Sequence, residues 1–184
     1  MGQYLAIGLT HEIITSREEL DRKKVSKEEL RQEIENTLLF DIKLYDEREE
    51  GKNLLFTLKN QVYEEGLIPF LEVLYPNVYK EKGDYFGLLE QLRSTPSTKW
   101  IELAKKKSET AFRFDNYAES GYINFSKPFL PSICLNYKCL MLYYGSGKIM
   151  TEGIDDFLHF FKHCIHETFK DHPIVKSIQI YITG

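Results

Sequence analysis

Residues 4–15 read as a strand with apolar residues on both sides of the extended chain: Tyr4, Ala6 and Gly8 alternate with Leu5, Ile7 and Leu9. A strand with no polar face belongs in the middle of a sheet. The period then changes. Ser16 with Glu19, and Ser26 with Glu29, each match the Ser-x-x-Glu capping box that opens a helix. Behind the second box, Leu30, Ile34 and Leu38 recur at i, i+4 and i+8, the spacing of a buried stripe. Short strands near 42–45 and 54–59 then flank an acidic turn, 46–50, closed by Gly51, and this predicts a hairpin.

The middle of the chain, about 60–108, reads as helical. Residues 61–79 are rich in Leu, Ile, Phe and Tyr, and Pro69 and Pro76 are expected to divide or end that helix. A short helix follows over 85–93. Thr95-Pro96 sets a capping hydroxyl before a proline at the first helical position, which opens a helix to about Lys107. A strand is expected at 122–125 and a longer one at 132–144. After Gly145-Ser146-Gly147, an amphipathic helix over 152–170 leads to a closing β-branched strand, 177–183. The order is β-α-β-β, a helical middle, then β-β-α-β. Segregated helices and hairpins predict an α+β fold: one mixed, mostly antiparallel sheet with helices packed mainly on one face. No Pro/Gly/Ser-rich linker divides the chain, so a single domain over 1–184 is expected.

Candidate chemistry gathers in the 152–170 helix. At about 100° per residue, Ile154, Phe157, Leu158, Phe161, Cys164, Ile165 and Phe169 share one face, which is expected to cover the sheet. Glu152, Asp156, His159, His163, His166 and Lys170 fall opposite. His159, His163 and His166 with Asp156 supply the imidazole and carboxylate donors that Zn²⁺ or Ni²⁺ accepts. The run from His163 to Glu167 spells HxxHE, whose Glu is out of register with both HExxH and HxxEH. Cys164 points to the apolar face, away from its neighbouring histidines, so no local Cys–His pair forms. Gly145-Ser146-Gly147-Lys148 is not a phosphate loop, because Leu142 and Ile149 stand where glycine and a hydroxyl residue are required.

Composition narrows the classes. A chain that is 42% hydrophobic and 14% aromatic has material for a core, which excludes intrinsic disorder. A net charge of −4 lacks the footprint of a general nucleic-acid binder. Lys99, Lys105, Lys106, Lys107 and Arg113, followed by Phe114, Tyr117 and Tyr122, nonetheless make a basic and aromatic stretch within 99–122 of the kind that binds single strands. Cys134, Cys139 and Cys164 have no CxxC spacing and read as reduced structural thiols. No secretory leader or membrane-length apolar run is evident, and Ala6 occupies the hydroxyl position of a myristoylation signal; the cytoplasm is expected.

The opening MGQYLAIGL, the segment LIPFLEVLYPNVY and the closing IQIYITG resemble a group of small bacterial proteins of unassigned function. The resemblance implies a compact bacterial cytoplasmic protein and brings no activity, cofactor or site residue with it. In class, a small acidic α+β chain without a catalytic motif is similar to the immunity proteins of toxin–antitoxin systems. The first functional expectation is therefore a non-enzymatic protein-binding module, immunity- or inhibitor-like. Asp46, Glu47, Glu49 and Glu50 would steer a basic partner, and Tyr117 and Tyr122 would anchor it. The alternative is a metal-dependent enzyme using His159, His163, His166 and Asp156. The third is nucleic-acid binding through 99–122, and self-association through a sheet edge is a further expectation.

Overall fold

The N-terminal strand, β1 (Tyr4–Ser16), is the spine of the sheet. The remaining strands are β2 (Tyr45–Glu50), β3 (Asn53–Leu58), β4 (Asp115–Ile123), β5 (Ile133–Tyr144) and β6 (Ile178–Thr183). They follow the order β2-β3-β1-β5-β4, and β6 also pairs with β1. This computed structural model describes residues 4–38, 41–78, 84–100, 102, 115–123, 132–144, 155, 158–159 and 161–183. The fold is α+β with an antiparallel sheet, as the pattern predicts. β1 pairs antiparallel with β6 from Tyr4↔Thr183 to Leu9↔Ile178, and with β3 from Glu12↔Thr57 to Ser16↔Asn53. Its central place explains its burial on both faces: Ile7, Leu9 and Ile13 are buried on one parity, Thr10 and Glu12 on the other.

The chain gathers into two compact units, each assembled from separated stretches. One comprises the described residues within 1–9, 60–116 and 140–184, the other those within 10–59 and 117–139. In the second unit, Ser16 Oγ accepts the Glu19 N–H to open α1 (Arg17–Lys23). Ser26 and Glu29 form the full reciprocal box that opens α2 (Lys27–Leu38). Leu30 and Ile34 are buried, as their spacing requires; the side chain of Leu38 lies outside the described residues. On β3, Leu54, Phe56 and Leu58 are buried on the parity that the register places beside Ile13 and Thr15.

The hairpin differs in detail from expectation. Residues 42–44 are a 3₁₀ turn capped by Asp41, and the acidic segment expected as a turn is itself strand β2. The reversal is Gly51-Lys52, where Gly51 adopts φ +58°, a left-handed conformation that glycine takes at little cost.

In the first unit, α3 (Asn60–Val78) runs through both prolines. Its buried stripe is Tyr63, Leu67, Phe70, Leu71 and Leu74, whereas Pro69 is exposed. Pro69 removes one i→i−4 hydrogen bond from the helix, and the buried stripe holds the element together across that break. α4 (Asp84–Ser94) follows. The cap expected from Thr95 is absent: Pro96 precedes a 3₁₀ turn, Ser97–Lys99, without a side-chain capping bond. The Ser97 hydroxyl instead donates to Glu64 Oε1 at 2.6 Å and accepts from Asn60 Nδ2 at 2.6 Å, which ties this turn to the start of α3. Trp100 is buried, its indole N–H shared between the carbonyls of Leu92 (3.1 Å) and Thr95 (2.8 Å).

Candidate functional site

The C-terminal helix, α5, is π-helical over Phe161–His166 and α-helical over Glu167–Phe169. Ile165 and Phe169 are its buried side chains. Phe169 meets Phe70 of α3 at a ring-centroid distance of 5.4 Å and stands edge-on to His172 at 6.4 Å, so this end of the apolar face packs on a helix. His172 then caps the 3₁₀ turn Pro173–Ser177, its Nδ1 accepting the Ile174 N–H at 3.2 Å. One expected core position is corrected. Leu158 is 46% exposed, because the i→i+5 bonding of the π segment widens the turn and breaks the 3.6-residue phase.

His159, His163 and His166 are all exposed, on the outward side the pattern assigns them. The structure brings two of them together: the rings of His159 and His163 lie 4.2 Å apart between centroids. His163 Nδ1 donates to Glu167 Oε1 at 3.0 Å, so the Glu of the HxxHE run is the partner of its first histidine. That hydrogen bond, with the nearby charges of His163, Lys162 and His159, holds the Glu167 carboxyl below the usual carboxylate range. Among the described residues, no three His, Cys, Asp or Glu side chains converge as a metal-binding group. Asp156 and the side chain of Cys164 lie outside the described residues. No family model, curated protein or solved structure matches this chain.

The expected partner surface is β2. Asp46, Glu49 and Glu50 are exposed and Glu47 is half-buried. Three of these carboxylates are already answered, Glu50 by Arg48 of the same strand at 3.6 Å. Arg31 Nε donates to Glu47 at 2.9 Å; Arg17 reaches Glu49 at 2.6 Å, and Lys27 pairs with Glu49 as well. The Lys27 hydrogen bond lowers the Glu49 carboxyl, and the same bond raises the Lys27 ammonium. Helices α1 and α2 thus neutralise the inner half of the acidic strand. Tyr117 and Tyr122 lie on β4, and their side chains are outside the described residues. Of the basic and aromatic stretch, Lys99 is exposed on the 3₁₀ turn, while 103–114 is outside the described residues.

Sequence reasoning missed a polar centre on β1. Glu12 is buried with its carboxylate bonded to Lys138 of β5 and 3.4 Å from Arg48 of β2. Close by in the chain, Thr10 Oγ1 lies 3.6 Å from Cys139 Sγ, and Tyr45 donates its phenol hydrogen to the Thr10 carbonyl at 2.9 Å. That carbonyl falls just past the β1–β3 ladder, and Lys59, next along β3, gives its own N–H to Leu44. The phenol satisfies a buried strand carbonyl from the side chain of another strand. The available signal was a lone carboxylate, Glu12, beside His11 in a mostly apolar and β-branched run.

Among the described residues, no helix is long and apolar enough to cross a membrane.

Proposed function

We propose that this chain is a non-enzymatic protein-binding module, inhibitor- or immunity-like, and that the outward face of α5 is its contact surface. One observation carries the reading: Leu158 is exposed beside His159, on a face that continues through exposed Lys162, His163 and His166. A small substrate is held in a concave site that encloses most of its surface. A helix face with an aliphatic anchor and flanking polar groups instead suits an interface with an apolar centre and a polar rim. Asp46, exposed on β2, adds long-range attraction for a basic partner, and Glu50 adds to it beside Arg48.

The test is retention of proteins from the chain's own cell lysate on immobilised wild type and on Leu158→Asp. A partner held by wild type and weakened about tenfold or more by the substitution supports the reading, since truncating an interface anchor costs more than about 1 kcal/mol. Equal retention on both columns removes α5 from the interface. A second reading, a metal-dependent enzyme, is favoured by the contact of His159 with His163. Failure to retain any protein, together with metal-dependent hydrolysis by the purified chain, would establish that reading in place of the first.

A further inference from the structure

We infer that His159 and His163 form a two-point chelate for a transition-metal ion of the Cu²⁺, Ni²⁺ or Zn²⁺ class, and that Glu167 is its positioning residue. This does not depend on the protein-binding reading, because the ion is held by side chains of one short stretch of this chain, 159–167, alone.

Three separate features lead to it. First, the rings of His159 and His163 are 4.2 Å apart between centroids on an exposed face. A metal bound in the ring plane at about 2.0–2.1 Å from nitrogen lies about 3.2 Å from the ring centre, so two rings tilted at 43° with centres this close can converge on one ion at their common edge. Imidazole is the donor that Zn²⁺, Cu²⁺ and Ni²⁺ share.

Second, Glu167 decides which nitrogen is offered. A carboxylate only accepts, so the 3.0 Å contact assigns the hydrogen to His163 Nδ1. In the neutral ring the free lone pair is then on Nε2. Metal-ligating histidines are held in this manner, with a carboxylate on the far nitrogen fixing the tautomer and raising the basicity of the ligand. Glu167 thus has a role that the HExxH comparison did not suggest: it does not act as a base, and it aims a ligand.

Third, the backbone that carries His163 is π-helical from Phe161 to His166. A π turn is less favourable than α-helix and is found frequently at functional sites. Its wider turn advances fewer degrees per residue, so His166, three residues beyond His163, stops further short of a full turn and further out of line than in a 3.6-residue repeat. It keeps His159, four residues before, alongside. The same geometry gives the ion a structural consequence. It binds both rings only while the helix is formed, so loading staples this turn and raises stability by linkage.

The chemistry is binding without redox change or bond cleavage. The ion exchanges water for two imidazole nitrogens and keeps its remaining positions hydrated. Protons compete for the same nitrogens, so binding weakens on acidification.

The experiment is calorimetric titration of the untagged full-length chain with Ni²⁺ and, separately, Zn²⁺, paired with thermal melts in the presence of each ion. One ion per chain and a raised melting temperature are expected. His159→Ala and His163→Ala should each abolish both effects, and circular dichroism of these exposed variants should match the wild type. Glu167→Gln should bind about tenfold more weakly, the loss typical of an outer-shell partner. His166→Ala should bind as wild type does. No heat with either ion would overturn the inference, as would unchanged binding in His163→Ala. Loss in His166→Ala equal to that in His163→Ala would replace this pair with a different ligand set. A chain that binds the ion and retains no protein partner fails only the protein-binding reading.

Discussion

Gly66 is the tightest point on α3. A Cβ built there would lie 2.6 Å from His172 Cε1 and 2.9 Å from Ile174 Cβ. The second atom is the branch point of a buried isoleucine, so it cannot swing aside as the tip of a long chain would. Alanine is the better helix former by about 1 kcal/mol. Forcing a methyl into packed surroundings costs about 1–3 kcal/mol. The clash should win, because Ile174 and the ring that caps its N–H would have to move together. Gly66→Ala is expected to lower unfolding stability in urea by about 1 kcal/mol. In a His172→Ala background the penalty should shrink, because one of the two close contacts is gone. An equal penalty in both backgrounds would place the strain on Ile174 alone.

Pro69 poses the opposite question at the level of the element. It interrupts the hydrogen-bond ladder of α3, yet the helix continues to Val78 because Phe70, Leu71 and Leu74 are fully buried behind it. Proline is about 3 kcal/mol worse than alanine in a helix interior. Part of that is offset, because proline also restricts the unfolded chain. Pro69→Ala should therefore stabilise the protein by about 1–2 kcal/mol, read as a higher urea midpoint at unchanged slope. A loss of stability would mean that the bend itself is needed for packing. The same element shows where sequence stops being readable. Its apolar, helical character was legible, as were the Leu30 and Ile34 stripe and the Ser26–Glu29 box, since each is local. Its passage through Pro69 was not, because the compensation comes from tertiary burial. For the same reason β2 was expected as a turn: Glu47 and Glu49 are poor strand formers, and the cations that hold them, Arg17, Lys27 and Arg31, arrive from other elements. The π segment of α5 leaves no periodic trace at all. A uniform 100° phase therefore put Leu158 inside, although it placed His159 and His163 together on the outer side, where both are exposed.

At the scale of the whole chain, the decisive fact is that neither unit is a continuous stretch of sequence. One draws on described residues within 1–9, 60–116 and 140–184, the other on those within 10–59 and 117–139. β1 therefore belongs to both: its first half pairs with β6 and its second half with β3. β5 is divided in the same way, between Cys139 and Leu140. No cut at a single point releases a unit, and the absence of a linker in the sequence is the trace of this chain path. Glu12 belongs to the same level of description, since its partner Lys138 is 126 residues away and no local pattern announces the pair. A strand whose ladder serves two units cannot be lost from one and retained in full by the other, so melting should be cooperative. The single tryptophan makes this measurable. Trp100 is buried in the first unit, and its fluorescence reports there, whereas far-ultraviolet circular dichroism sees helices and strands of both. In urea the two signals should give coincident transitions with one midpoint. If tryptophan fluorescence changes first and a second dichroism transition follows, the units unfold separately. In that case the continuity of β1 is a feature of the chain path without energetic consequence.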